Sequence, residues 1–487
     1  MRMAGSSRRP RMEDKLPFPY TFVVAAFGLL VTVSADSGIS SFSTQALGIN
    51  YGRVADDLPP PSVAVELIRQ LKASYVKIYD ANPEVLSALS GTGLQVVITV
   101  RNEDISNISS SPLIANAWIQ TNVLPHYPST LITTIMVGNE VPSQGESDEL
   151  ALLVPAMTNI HSALVDHNLG DAIKVTTSLA MDVFATSYPP SAGAFRDDLI
   201  DLVLQPMLDL LSRTNSYVFL DVYPFFAWSS DATNISLNYA LLDVEHVGTS
   251  IMEDQGLTYS NMLDAQLDAA VAAMEKLGHS DIPLVISETG WPTKGDDDDD
   301  DQQPGASISN AAQYNQNLVR KALARPPTGT PRRPGTFIPI FIFSLFNEDD
   351  KPGPETERNW GLFYPDGSPV YPIVLSGQTG PVSHVYTSPS KNSSPGIQWC
   401  VVSPNAQVEE DDLQEAIDFA CAAGGDCSLI EPNQPCYLPN TLISHASYAF
   451  NTYWQRTKGS GATCDFNGAA ALTNSDPSFQ GCVFEHD

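Results

Sequence analysis

Two glutamates close apolar, β-branched runs: Val137-Gly138-Asn139-Glu140, and Val285-Ile286-Ser287-Glu288 ahead of Thr289-Gly290-Trp291-Pro292. Alone, either would read most simply as a surface carboxylate at a strand end. As a pair, ending the fourth and seventh strands of one barrel, they face each other across its mouth. Cleavage of a glycosidic bond calls for such a pair. One carboxyl group protonates the leaving oxygen, and the other stabilises or attacks the oxocarbenium-like centre. Sequence spacing leaves retention and inversion open, because that choice depends on separation in space.

Aromatic residues accompany the pair along the chain. Tyr79 ends the second apolar run; Tyr223, Phe225, Phe226 and Trp228 follow the sixth; Trp291 follows Glu288; Phe346 ends the eighth. Sugar rings present apolar C–H faces, so an open cleft lined by such rings can grip a glucan. Some of the rings must instead be core, and Phe225, Phe341 and Phe343 are expected to be structural.

The elements that must hold these residues are legible as an alternation. Candidate strands are 46–52, 74–80, 94–100, 134–140, 173–180, 217–224, 282–288 and 337–346, mostly continuous apolar segments of the kind buried on both faces of a parallel sheet. Helix-period stretches lie between them at 62–72, 150–167, 197–213, 262–277 and 311–324. Eight strands with helical crossovers fit an α/β protein built as a (β/α)8 TIM barrel, whose active site gathers at the strands' C-terminal ends. An open doubly wound sheet is the alternative. No Gly-rich phosphate fingerprint follows the first strand, which weakens its nucleotide-binding version.

Composition sets the surroundings. The formal net charge of −31 argues against nucleic acid or an anionic lipid surface, since phosphate binding needs clustered Lys and Arg. A neutral polymer suits this balance, though acidity can equally serve solubility alone. Residues 1–35 read as a signal peptide: Arg2, Arg8, Arg9, Arg11 and Lys15 precede an apolar stretch from Tyr20 to Val33, then Val33-Ser34-Ala35 offers a cleavage site. A catalytic domain is expected over 36–376, a Gly-, Ser- and Pro-rich linker over 377–396, and a small domain over 397–487. All six cysteines lie between Cys400 and Cys482, which in an exported chain implies a disulfide framework of unspecified pairing. A helix is expected over 411–423. Sequons at Asn107, Asn234 and Asn392 are candidate glycosylation sites. The run Asp296–Asp301 reads as a solvated loop, calcium being the weaker reading.

On these residues the chain resembles a known family. Ile49-Asn50-Tyr51-Gly52, Lys77-Ile78-Tyr79-Asp80, Val137-Gly138-Asn139-Glu140, Ser287-Glu288-Thr289-Gly290-Trp291-Pro292 and the stretch from Phe343 through Asn347-Glu348-Asp349-Asp350-Lys351-Pro352 to Glu357-Arg358-Asn359-Trp360 resemble the plant β-1,3-glucanases of glycoside hydrolase family 17. The resemblance implies retention, with Glu140 as acid/base and Glu288 as nucleophile. It also implies a charged cluster of Glu348, Lys351 and Glu357 beside the nucleophile, where Lys351 would favour the ionised form of a neighbouring carboxylate. These three are candidate substrate-binding residues, together with Asn139 and, from the aromatic reading above, Tyr79, Tyr223, Trp291 and Phe346. Asp221 stands where many relatives have Asn.

The tail resembles the callose-binding X8 modules through Trp399-Cys400-Val401, Ala416–Cys421, Asp426-Cys427, Cys436-Tyr437, Ser444–Asn451, Cys464-Asp465-Phe466 and Cys482-Val483-Phe484. That resemblance implies the pairs Cys400–Cys464, Cys421–Cys427 and Cys436–Cys482, making the small domain disulfide-rich and mostly helical. Tyr448, Phe450, Tyr453 and Trp454 are its candidate stacking surface, with half of them expected to be core. Neither metal nor organic cofactor is expected, and no lipid anchor, since no apolar tail follows Cys482. The expectation is a secreted, monomeric endo-hydrolase of β-1,3-glucan in the cell wall or extracellular space. Its rivals are a glucan-binding wall protein with weak turnover and a transglycosylase.

Overall fold

A computed structural model describes residues 47–376 and 398–486, apart from 146, 245, 247–250, 297–302, 404–409, 433, 438–441, 474–476 and 479–481. The signal segment, the linker with Asn392, and the acidic run beyond Asp296 lie outside the described residues.

Nine strands form one parallel sheet: β1 (Leu47–Tyr51), β2 (Tyr75–Ile78), β3 (Gln95–Val100), β4 (Leu131–Val137), β5 (Lys174–Thr176), β6 (Ser178–Ala180), β7 (Val218–Asp221), β8 (Leu284–Thr289) and β9 (Ile340–Ile342). Their order is β5-β4-β3-β2-β1-β9-β8-β7-β6. The two ends of that order are successive pieces of one run, interrupted at Thr177. β5 pairs with β4 and β6 with β7, so the sheet closes on itself as an eight-stranded barrel.

Two apolar clusters show which way the strands face. Tyr75, Val97, Met136, Tyr217, Phe219, Val285 and Phe341 meet inside the barrel. Their strand neighbours Val76, Val96, Val137, Leu220 and Ile286 join the larger cluster under the helices. Continuing the alternation past Tyr75 sends Lys77 and Tyr79 inward at the mouth, and past Phe219 it sends Asp221 inward.

The surrounding helices follow the apolar period. In α1 (Pro61–Gln70), Pro61 opens the first turn and Ala64, Val65, Leu67 and Ile68 are buried. α2 (Ser147–Asp166) follows β4. α3 (Gln205–Arg213) buries Met207, Leu208, Leu210 and Leu211. α4 (Met262–Lys276) is capped by Asn261, whose side chain accepts from Asp264 N–H, and α5 (Ile308–Ala322) by Ser307, accepting from Asn310 N–H.

In the C-terminal domain, α6 (Glu410–Ala422) presents Leu413, Ile417 and Ala420 to Ala446, Ala449 and Phe450 of α7 (Leu442–Thr457). β10 (Trp399–Val402) pairs antiparallel with β11 (Ala470–Thr473). Disulfides join Cys400 to Cys464, Cys421 to Cys427 and Cys436 to Cys482. No helix among the described residues is long and apolar enough to cross a membrane.

Candidate active site

Glu288 owes its aim to an irregularity in β8. Strict alternation from inward Val285 would turn residue 288 outward, under the helices. Instead Ile286 pairs with Leu220 and Glu288 with Asp221, so Ser287 is an extra residue against β7. The register against β9 slips over the same stretch. A bulge of this kind re-aims a side chain, and here it delivers Glu288 to the barrel mouth.

Three donors meet its carboxylate. Lys77 Nζ lies 2.7 Å from Oε1, Tyr79 donates its hydroxyl to Oε1 at 2.6 Å, and Tyr223 donates to Oε2 at 2.7 Å. Burial alone would raise the proton affinity of Glu288. The Lys77 charge and the hydrogen bonds from Lys77, Tyr79 and Tyr223 outweigh it, leaving the carboxyl below its ordinary range. Burial and the Glu288 charge push both phenols well above theirs, so they stay donors.

Glu140 is held differently. β4 ends at Val137, three residues earlier than the sequence pattern suggests. Gly138 then adopts φ +70°, and a Cβ there would lie 2.4 Å from the Val141 side chain. Asn139 N–H donates to Asn102 Oδ1 at 2.7 Å, and Asn102 Nδ2 returns a bond to Asn139 O. Glu140 itself is left-handed, φ +50°, with its N–H on Ser178 Oγ at 3.0 Å. A non-glycine residue in that conformation is costly and persists because these contacts over-determine it. Its partly buried carboxyl is pushed up to about 9, by burial first and then by the charges of Asp221 and Glu288.

The two glutamates are thus set to opposite states near neutral pH, one ionised and one protonated, the division of labour a glycosidase needs. Asn139 supports this arrangement through Asn102 and Ser178.

The charged group after β9 braces the neighbouring loop. Glu348, 2% exposed, accepts Val54 N–H at 2.8 Å, with Lys351 Nζ at 3.4 Å. A Cβ on Gly52 would lie 2.4 Å from the Glu348 carboxylate, which is why that position has none. Lys351 Nζ also lies 4.2 Å from the centre of the Phe343 ring. Burial raises the Glu357 carboxyl, opposed by Lys351. The cation on Glu288 is Lys77, which the sequence offers only as part of a motif.

Two aromatic expectations need correction. Trp291 is fully buried, its Nε1 donating to Gly305 O at 2.7 Å and its ring packed by Phe225, Trp228 and Tyr314. Phe346 is buried against Tyr51 and Phe363. Neither has a face to offer a sugar, and both are core; Trp228 is buried as well. Phe225, Phe341 and Phe343 are buried, as expected of structural rings. The most exposed of these rings is Phe226, 45% exposed and packed edge-on against half-buried Tyr223 beside Trp360. In the small domain Tyr448 and Phe450 are buried, while Tyr453 and Trp454 keep partial exposure. Of the acidic run, Asp296 accepts Glu355 N–H at 3.1 Å.

The family pattern of the glycosyl hydrolases family 17 matches residues 47–375, and that of the X8 domain residues 398–471. A probable glucan endo-1,3-beta-glucosidase A6 of Arabidopsis thaliana is 45% identical over 442 residues, 90% of each chain. A glucan endo-1,3-beta-D-glucosidase of Olea europaea is 36% identical, over 93% of this chain and 96% of the relative. Among solved structures, a beta-1,3-glucanase and allergen of Cryptomeria japonica pollen aligns with 99% of its length on 68% of this chain, at 40% identity and a TM-score of 0.63. The protein belongs to glycosyl hydrolases family 17 and carries an X8 domain after its barrel.

Proposed function

We propose that the protein is a retaining endo-hydrolase of β-1,3-glucan, with Glu288 as nucleophile and Glu140 as acid/base. Glu140 gives its proton to the glycosidic oxygen as Glu288 attacks the anomeric carbon, forming a covalent glycosyl-enzyme. Glu140, now a carboxylate, takes a proton from the water that hydrolyses it. The observation that carries this reading is the trio of donors on the Glu288 carboxylate, Lys77, Tyr79 and Tyr223, which holds ionised the group that must attack, while burial beside Asp221 and Glu288 favours the protonated form of Glu140. The activity for which the relatives are named supports the substrate. Phe226 and Tyr223 are the rings placed to meet sugar. The X8 domain holds the enzyme on insoluble polymer, raising the local substrate concentration. Three disulfides and exposed sequon residues Asn107 and Asn234 support export to the wall or extracellular space.

Release of reducing sugar from linear β-1,3-glucan tests the assignment. Glu288→Gln is expected to lose at least about a thousandfold in kcat, and in Glu288→Gly, where the side chain's space is vacated, azide is expected to restore turnover of an activated glucoside with formation of a glycosyl azide. A Glu288→Gln enzyme turning over at the wild-type rate would sink it.

A further inference from the structure

Asp221 is a third carboxyl group at the barrel mouth, and the acid–nucleophile pair leaves it without a task. It ends β7 as the register partner of Glu288 across the bulge at Ser287. It is 1% exposed. Its Oδ1 accepts the Ser287 hydroxyl, while Oδ2 has no hydrogen-bond partner. The Ser178 hydroxyl on β6 is hydrogen-bonded to Asn139 Oδ1 at 3.3 Å and lies near enough to Asp221 to favour its ionised form, against the larger effect of burial. The other titratable groups facing it are Glu288 on β8, Lys77 and Tyr79 on β2, Glu140 after β4, and Tyr223 after β7.

Charge counting then decides its state. Lys77 is the one fully buried cation among the described residues. Three carboxyl groups share it in space with little water, where an uncompensated anion is far more costly than a neutral acid. Glu288 takes the ammonium and two phenols, and Asp221 is left with one hydroxyl. The proton belongs on Asp221.

We propose that Asp221 is a positioning residue that works as a neutral carboxylic acid: it fixes Ser287, and so the bulge that aims Glu288, and its ionisation is a separate step in the pH dependence of the enzyme. The proposal rests on the role given to Glu288 above. Burial and the Glu288 charge push Asp221 up to about 7, below Glu140 at about 9, so the two lose their protons in sequence. Ionised, Asp221 competes with Glu288 for Lys77 and tightens the hold of Glu140 on its proton, which weakens the acid.

The test compares the pH dependence of kcat/KM on linear β-1,3-glucan for the wild type and Asp221→Asn, which cannot ionise. The wild-type profile is expected to fall through two alkaline ionisations and the variant profile through one. The ratio of variant to wild type then changes by about tenfold or more across that range. A ratio that stays constant with pH overturns the proposal. Infrared spectra of wild-type protein labelled with carboxyl-13C aspartate give a reading that needs no variant. A buried neutral carboxyl band that disappears as the pH is raised supports the proposal, and absence of that band overturns it. Retained turnover in Glu288→Gln would remove the nucleophile assignment without touching the band, so the two failures are distinguishable.

Discussion

The barrel and the C-terminal domain reach stability by different routes, and the difference shows where each can carry charge. The barrel is cysteine-free and rests on one extended apolar cluster under its helices and a second inside its strands. A core of that size supplies stability in surplus, so the mouth can hold Lys77, Glu288 and Asp221 out of water. The C-terminal domain has two small clusters and three disulfides. Among the described residues its ion pairs stay at the surface, Arg456 meeting Asp426 and Glu485 with each side chain about 40% exposed. The buried charge that the chemistry needs sits in the domain stable enough to tolerate it.

Reduction should break the comparison most sharply. Two of the bridges close loops of 64 and 46 residues, and losing a native disulfide from a small secreted domain costs roughly 2–5 kcal/mol each. Dithiothreitol is therefore expected to abolish co-sedimentation of the full chain with insoluble β-1,3-glucan. Turnover of soluble oligosaccharides, which depends on the barrel, should persist. Parallel loss of both would mean that the barrel depends on the bridged domain.

Lys77→Met addresses the charge the barrel can afford. Without the ammonium, burial dominates Glu288 and its pKa rises. Catalysis needs Glu288 ionised, so the acid limb of kcat/KM moves to higher pH, with a loss of about a hundredfold or more at mildly acid pH. An unmoved acid limb would assign the ionised state of Glu288 to the two phenols alone. Phe226→Ala should do less. The exposed ring contributes stacking area, so KM for glucan is expected to rise by a few-fold to about tenfold with kcat nearly kept. Equal falls in kcat and kcat/KM would place the ring's contribution in the transition state instead.

The same contrast explains what could be read from sequence. The barrel was legible because its strands are continuous apolar runs and its helices repeat at their own period. The split at Thr177 and the early end of β4 were not, because pairing, not residue type, ends those strands. Both glutamates were legible from strand-end position. The aim of Glu288 was not, since a bulge is a register event between chains of atoms far apart in sequence. Lys77 was hidden because a lysine inside an apolar run gives no sign of its partner, 211 residues away. Trp291 and Phe346 show the converse: aromatics beside catalytic residues look like a cleft, yet rings so large are also what fills the space under one.

Arg456 gives the smallest and most discriminating comparison. It bridges Asp426 and Glu485 at 3.1 and 2.8 Å, so geometry alone would rank it beside Lys77, whose contact is 2.7 Å. Exposure decides otherwise. Water competes for all three groups around Arg456, salt screens them, and an exposed pair contributes less than about 1 kcal/mol. Arg456→Ala should therefore lower the thermal midpoint of the C-terminal domain by no more than a few degrees, and by less still at high salt. Co-sedimentation with insoluble glucan should be nearly kept. A large destabilisation insensitive to salt would show instead that the arginine stem packs the end of α7 against the chain at Glu485, and that this domain, like the barrel, draws on burial where its charges meet.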